Sequence, residues 1–191
     1  YYETFNREHV DIVDAAAHPI VEATARGLRT DEREYEVDAI VFATGFDAMS
    51  GALKAIDIRG ARGVRLRDKW AHGPTSYLGL GIAGFPNMFV VAGPGSPSVL
   101  SNMVHSIETH VDWIAKLLQQ ARSAGVRRIE ATQAAEDAWV RRCAQEADKT
   151  LYPRANSWYM GANIPGKPRV FMAFVAGVPL YRRIIEDVAA R

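Results

Sequence analysis

The hydrophobic residues of this chain follow two periods. Short runs rich in β-branched residues at 9–13 (HVDIV) and 18–24 (HPIVEAT) predict strands. The turn Arg26-Gly27-Leu28 leads to a possible partner strand at 28–30. Asp38–Ala43 is a nearly continuous apolar run closing on Thr44-Gly45, as expected of a strand covered on both faces. Met88–Ala92 and Arg169–Phe174 predict two more buried strands. Residues 46–75 hold Gly51, Gly60, Gly63, Gly73 and Pro74 and predict loops with one short strand near 64–67. Helical spacing then dominates from about Ser98 to Ala124, where Leu100, Met103, Val104, Ile107, Val111, Ile114, Leu117, Leu118 and Ala121 recur every three or four residues. Ser96 is the N-cap candidate, Pro97 the first helical residue and Gly125 the stop. A second helix is predicted over about 132–148, with Ala135, Ala138, Trp139, Cys143 and Ala147 on one side, and a last one over 180–190. The Pro-, Gly- and Asn-rich stretch 152–168 predicts a loop. The mixture points to an α/β chain.

Composition narrows the function classes. The 191 residues carry 23 Lys+Arg against 22 Asp+Glu, a net charge of +1, with 48% hydrophobic residues. That balance excludes a disordered chain and a nucleic-acid binder driven by bulk charge. One cysteine, Cys143, permits no internal disulfide and no cysteine-based metal site, and is expected in a helix core. Its scarcity points to a reducing, cytoplasmic setting. No apolar run reaches the ~18 residues of a membrane span. Tyr1-Tyr2-Glu3-Thr4 has no signal-peptide character and no initiating Met, so a processed or truncated piece is expected.

Gly79-Leu80-Gly81-Ile82-Ala83-Gly84 spells a dinucleotide fingerprint, but Phe85-Pro86-Asn87 follows it rather than a helix, so it is not expected to hold a pyrophosphate. Gly93-Pro94-Gly95-Ser96-Pro97 has the better context, between a predicted strand and a predicted helix. It reads either as a ligand loop at a helix N-terminus or as a Pro-capped structural turn. His105 and His110 lie about 140° apart around a helix and do not make a metal pair. One of the two is expected at the surface or its boundary. Trp70, Trp113 and Trp139 read as packing residues. Trp158 lies in the loop 156–167, which reads as a functional loop or a packed Ω-loop.

Taken in order, several segments resemble the C-terminal part of the flavin-dependent Baeyer–Villiger monooxygenases. They are Tyr1-Tyr2-Glu3 with Phe5-Asn6-Arg7, Val41–Ala48 (VFATGFDA), Ala83–Asn87 (AGFPN), Gly93–Ser98 (GPGSPS) with Leu100–Met103 (LSNM), Ser157-Trp158-Tyr159, and Gly161–Phe171 (GANIPGKPRVF). The resemblance implies FAD and NADPH as cofactors, a ketone and O2 as substrates, and an ester or lactone as product. It implies an α/β fold made of the C-terminal portions of two Rossmann-type domains, incomplete without the upstream part of the same enzyme. Residues 1–46 would end the NADPH-binding domain, and 47–191 would form the C-terminal part of the FAD-binding domain.

The same resemblance implies that Met103 and Asn102 lie against the flavin ring, and that Ser98, Val99 and Leu100 line the ketone pocket. Trp158 would contact NADP, with Lys167 a further candidate, and Thr44, Gly45 and Asp47 would lie near FAD. It places no catalytic residue and no metal ligand in this chain. The pyrophosphate fingerprints and the arginine serving the oxygenation step would lie upstream, so the isolated segment is expected not to turn over. Nucleic acid and a membrane span are not expected. The alternatives are an N-hydroxylating or sulfoxidising flavin monooxygenase, and a non-catalytic remnant or docking module lacking flavin colour.

Overall fold

The computed structural model describes residues 1–97 and 101–190. Ser98, Val99 and Leu100 therefore lie outside the described residues. The chain divides into two compact units, Tyr1–Thr44 and Gly45–Arg191.

The first unit is a three-stranded antiparallel meander, β1 (Ile20–Ala23), β2 (Gly27–Thr30) and β3 (Glu34–Glu36), in the order β1-β2-β3. Both turns are built on threonine hydroxyls. Thr24 Oγ1 accepts the N–H groups of Arg26 and Gly27, and Thr30 Oγ1 accepts those of Glu32 and Arg33. Ion pairs from Arg29 to Glu22 and from Arg26 to Glu34 and Glu36 run across the sheet. Two predicted strands are absent. Residues 9–13 are coil, and so is the apolar run 38–43, whose Val41 and Phe42 are 87% and 82% exposed. An apolar run becomes a strand only where it joins a ladder, and this segment pairs with neither edge of the β1-β2-β3 sheet.

The second unit is helical. It contains α1 (Gly51–Ala55), α2 (Leu66–Lys69), α3 (Met103–Ser123), α4 (Gln133–Ala147) and α5 (Val178–Ala189), with irregular segments between them. The predicted strand near 64–67 is instead the entry to α2, with only an isolated bridge between Arg59 and Arg65. The predicted strands 88–92 and 169–174 are buried in part but form no ladder. Gly81 bridges Tyr77 and Phe89. The Gly95 N–H donates to the Met172 carbonyl (3.1 Å), and the Phe174 N–H to the Ser96 carbonyl (2.9 Å). These contacts satisfy the backbone locally without regular strands.

Two apolar clusters hold this unit together. Leu78, Leu80, Trp139, Cys143, Phe174, Tyr181 and Ile185 join α4 and α5 to the segment 77–81. Leu66, Trp70, Ile82, Phe85 and Val90 form the other around α2. Indole and phenol groups inside them find backbone acceptors. Trp139 donates to the Gly95 carbonyl (3.0 Å), Trp113 to Ile185 (2.6 Å), Trp70 to Thr75 (2.9 Å) and the Tyr181 hydroxyl to Leu78 (2.7 Å). Cys143 is buried, as its helix position predicts, and burial pushes its thiol up to about 12.

A fully buried carboxylate links four segments. Glu136 on α4 accepts from the Ala83 N–H (2.7 Å) and the Thr75 hydroxyl (2.9 Å) and pairs with Lys69 (2.8 Å). Lys69 also donates to the Ala83 carbonyl (2.8 Å). Every oxygen of that carboxylate is thus matched, which offsets the cost of its burial.

Helix α3 differs most from the apolar pattern. Its buried residues are Ser106, Thr109 and His110, while Val104, Ile107, Val111 and Leu118 are each at least 39% exposed. His110, one of the two histidines considered at the sequence level, lies in the interior, and His105 is exposed.

Candidate functional site

The start of α3 lies six residues beyond the predicted one. Asn102, not Ser96, is the N-cap, and its side-chain oxygen accepts the N–H groups of Val104 (3.0 Å) and His105 (3.3 Å). Ser96 is buried, and its hydroxyl donates weakly to the Pro97 carbonyl (3.4 Å). Asn102 has the extended backbone from which a side chain reaches back to the first turn, whereas the Ser96 carbonyl is taken by the Phe174 N–H. The expected helix of 27 residues is therefore one of 21. Replacing Asn102 by Ala should cost about 1 kcal/mol in a urea melt, and Asn102→Asp should retain most of it.

Around this start, the Ser101 and Ser106 hydroxyls are 2.9 Å apart. A cavity of about 230 Å³ lined by Pro97, Ser101, Phe174, Val175, Gly177, Val178 and Pro179 lies beside it. One turn further in, His110 Nδ1 accepts the Ala92 N–H (3.0 Å), which fixes the proton of the neutral ring on Nε2. That nitrogen is buried without a partner, and burial pushes the imidazole down to about 4. The ring meets Tyr181 edge-on at 5.5 Å.

The loop 156–167 is compact. The Gly161 N–H donates to Trp158 (2.9 Å), Ala162 to Ser157 (3.2 Å) and Lys167 to Ile164 (3.2 Å). Trp158 stacks on Tyr159 at 4.0 Å, and Tyr159 continues to Tyr152 and Phe171. The Trp158 ring keeps about a third of its surface open, and the Ser157 hydroxyl beside it is buried without a partner.

Two residues assigned separately to cofactors prove to be partners. The Lys167 ammonium pairs with the Asp47 carboxylate and also donates to the Ala48 carbonyl (3.0 Å). Asn163, which the sequence reading did not single out, donates to the Phe46 carbonyl (3.1 Å). Thr44 and Gly45 are exposed, on either side of the division between the two units. The largest cavity described, about 660 Å³ lined by residues such as Arg62, Lys69, Phe85, Arg128 and Glu130, contains none of the residues predicted for the site. The Gly79–Gly84 fingerprint opens no helix and forms a turn closed by Tyr77 and Gly81. Among the described residues there is no cluster able to hold a metal ion, and no helix long and apolar enough to cross a membrane.

No protein-family model matches this chain. A curated relative, a Baeyer–Villiger monooxygenase from Pseudooceanicola batsensis, is 46% identical over 189 residues, covering 98% of this chain. The chain matches a C-terminal segment of the Baeyer–Villiger monooxygenases. The closed crystal structure of a cyclohexanone monooxygenase superposes on all of it with a TM-score of 0.92 at 44% identity. An oxidised steroid monooxygenase bound to NADP does so with a TM-score of 0.86 at 49% identity. The chain spans 34% of the first relative's length and 36% of each of these two structures. At this level of identity and overlap, the irregular segments between the helices belong to the fold of these enzymes.

Proposed function

We propose that the chain works as one segment of a longer FAD- and NADPH-dependent Baeyer–Villiger monooxygenase, converting ketones to esters or lactones with O2. The observation that carries this reading is the agreement in sequence and backbone over the whole chain with enzymes of that activity. Residues 1–46 would end an NADPH-binding domain and 47–191 form the C-terminal part of an FAD-binding domain, both Rossmann-type when completed by the upstream chain; the division of the chain at Thr44–Gly45, two residues from that boundary, supports the partition.

Local chemistry fits the two cofactors. The 21-residue helix α3 presents the positive end of its dipole at Asn102 and Met103, where a ring that gains negative charge on reduction is favoured. The open face of Trp158 and the unpartnered Ser157 hydroxyl would receive NADP. Ser98, Val99 and Leu100 would border the ketone pocket, with Val99 and Leu100 supplying an apolar wall. Thr44, Gly45 and Asp47 would lie near FAD. Bound FAD would supply the activation of O2, and NADPH the reducing equivalents. The residues of this chain would orient both cofactors. Lys167 serves this arrangement through Asp47 rather than through a phosphate, because its ammonium is already paired and buried.

The test is NADPH-dependent oxygenation by the full-length protein that carries this segment. The ketone panel includes phenylacetone, since the motifs resemble those of phenylacetone monooxygenase. Ester or lactone carrying one oxygen from labelled O2 is expected, with no turnover by residues 1–191 alone. Absence of product from every ketone, or turnover by the segment alone, contradicts the reading.

A further inference from the structure

We propose that Lys167 and Asn163 are positioning residues that latch the Trp158 loop onto the backbone of Phe46–Ala48. The proposal deepens the functional reading above and rests on it for the role of Trp158.

Three contacts make the latch, and all lie within the second unit. Asn163 donates to the Phe46 carbonyl, and Lys167 to the Ala48 carbonyl and the Asp47 carboxylate. They join stretches 120 residues apart in sequence at the Lys167–Asp47 pair. Both sides of that pair are built to receive it. A Cβ on Gly51 would lie 2.6 Å from the Asp47 Cβ, so only glycine leaves room for that carboxylate, whose backbone carbonyl accepts the Gly51 N–H. A Cβ on Gly161 would lie 3.2 Å from Lys167 Cδ, and Gly161 has a positive φ of 72°. The lysine stem therefore packs against bare backbone at the end of the Trp158–Met160 turn, and its side chain is only 4% exposed.

The chemistry is asymmetric. Lys167 is nearly dry, and Asp47 keeps a third of its side chain in solvent. A buried ammonium without its carboxylate costs far more than a half-solvated carboxylate without its ammonium. The latch thus releases most cleanly by removing the lysine. The loop carries its own internal turns, so release frees it as a body that keeps its local fold, with Trp158 no longer held in one place. A cofactor that needs Trp158 in place then binds only the latched fraction, and its apparent affinity falls in proportion.

The experiment has two arms, using Lys167→Met and Asn163→Ala. In the first, limited trypsin digestion reads cleavage at Arg154 and Arg169, the exposed sites flanking the loop. Lys167 precedes Pro168, so its replacement removes no trypsin site. Cleavage of Lys167→Met about tenfold faster than the parent is expected, with Asn163→Ala intermediate and cleavage elsewhere unchanged. Equal cleavage rates overturn the latch. In the second arm, the full-length oxygenase carrying Lys167→Met is expected to show a KM for NADPH raised about tenfold, with kcat and FAD content within about twofold of the parent. Faster cleavage with an unchanged KM overturns the positioning role while leaving the contact itself standing. Loss of oxygenation in the parent enzyme instead refutes the functional reading. A loss of FAD together with faster cleavage throughout the second unit assigns Lys167 to general stability and overturns the proposal.

Discussion

Replacing Lys69 by Met is expected to destabilise the second unit by about 3–5 kcal/mol, because it strands a fully buried carboxylate without its counter-charge. For a domain of this size that lowers the melting temperature by roughly 10 °C. Glu136→Gln is expected to cost less. Its amide oxygen can still accept the Ala83 N–H, and Lys69, 14% exposed, keeps the Ala83 carbonyl. The double variant Lys69→Met with Glu136→Leu should be more stable than Lys69→Met alone, since no uncompensated charge remains. A double-mutant cycle by urea melting measures this coupling. Additive effects of the two sites would show that the Lys69–Glu136 pair does not act as a unit.

Stability should also fall on acidification through one interior histidine. His110 is pushed from its ordinary 6.5 down to about 4 by burial. Between those values the unfolded chain binds a proton that the folded chain refuses, so stability drops as pH falls from 6.5 to 4 and is retained above. The structure gives the cause at atomic level. Nδ1 is occupied by the Ala92 N–H, so a second proton must break that bond, and Nε2 has no hydrogen-bond partner among the described residues to stabilise the charge. Urea midpoints measured across this window should slope less steeply in His110→Gln than in the parent. Parallel slopes would place the histidine in a solvated setting.

Some of this was legible in the sequence. Helix α4 follows from Ala135, Ala138, Trp139, Cys143 and Ala147 at helical spacing; Trp139, Cys143 and Ala147 are buried, while Ala138 is exposed. Helix α5 and the turn-rich loop 152–168 followed in the same way. The strands at 88–92 and 169–174 did not, because an apolar run reports burial and not the presence of a ladder. The polar interior face of α3 was illegible because the period was counted on apolar residues alone, while Ser106, Thr109 and His110 are buried through hydrogen bonds and close packing. Its start differs from the Ser96-Pro97 expectation because the cap is set by hydrogen bonds to the Asn102 side chain, while Gly95 and Ser96 are bonded through their backbone to Met172 and Phe174. In the candidate site, residue types were legible and partnerships were not. Asp47 and Lys167 were each singled out, but no local pattern reveals a pair 120 positions apart.

The central claim is that the start of α3 adjoins a flavin. A photoreactive benzoylphenylalanine placed at Met103 of the full-length enzyme tests it directly, with Leu118, exposed four turns along the same helix, as the control position. Irradiation is expected to attach FAD at position 103 and not at 118, as read by the mass of the labelled peptide. No flavin adduct at 103 in an FAD-loaded enzyme, or equal labelling at both positions, would contradict the account.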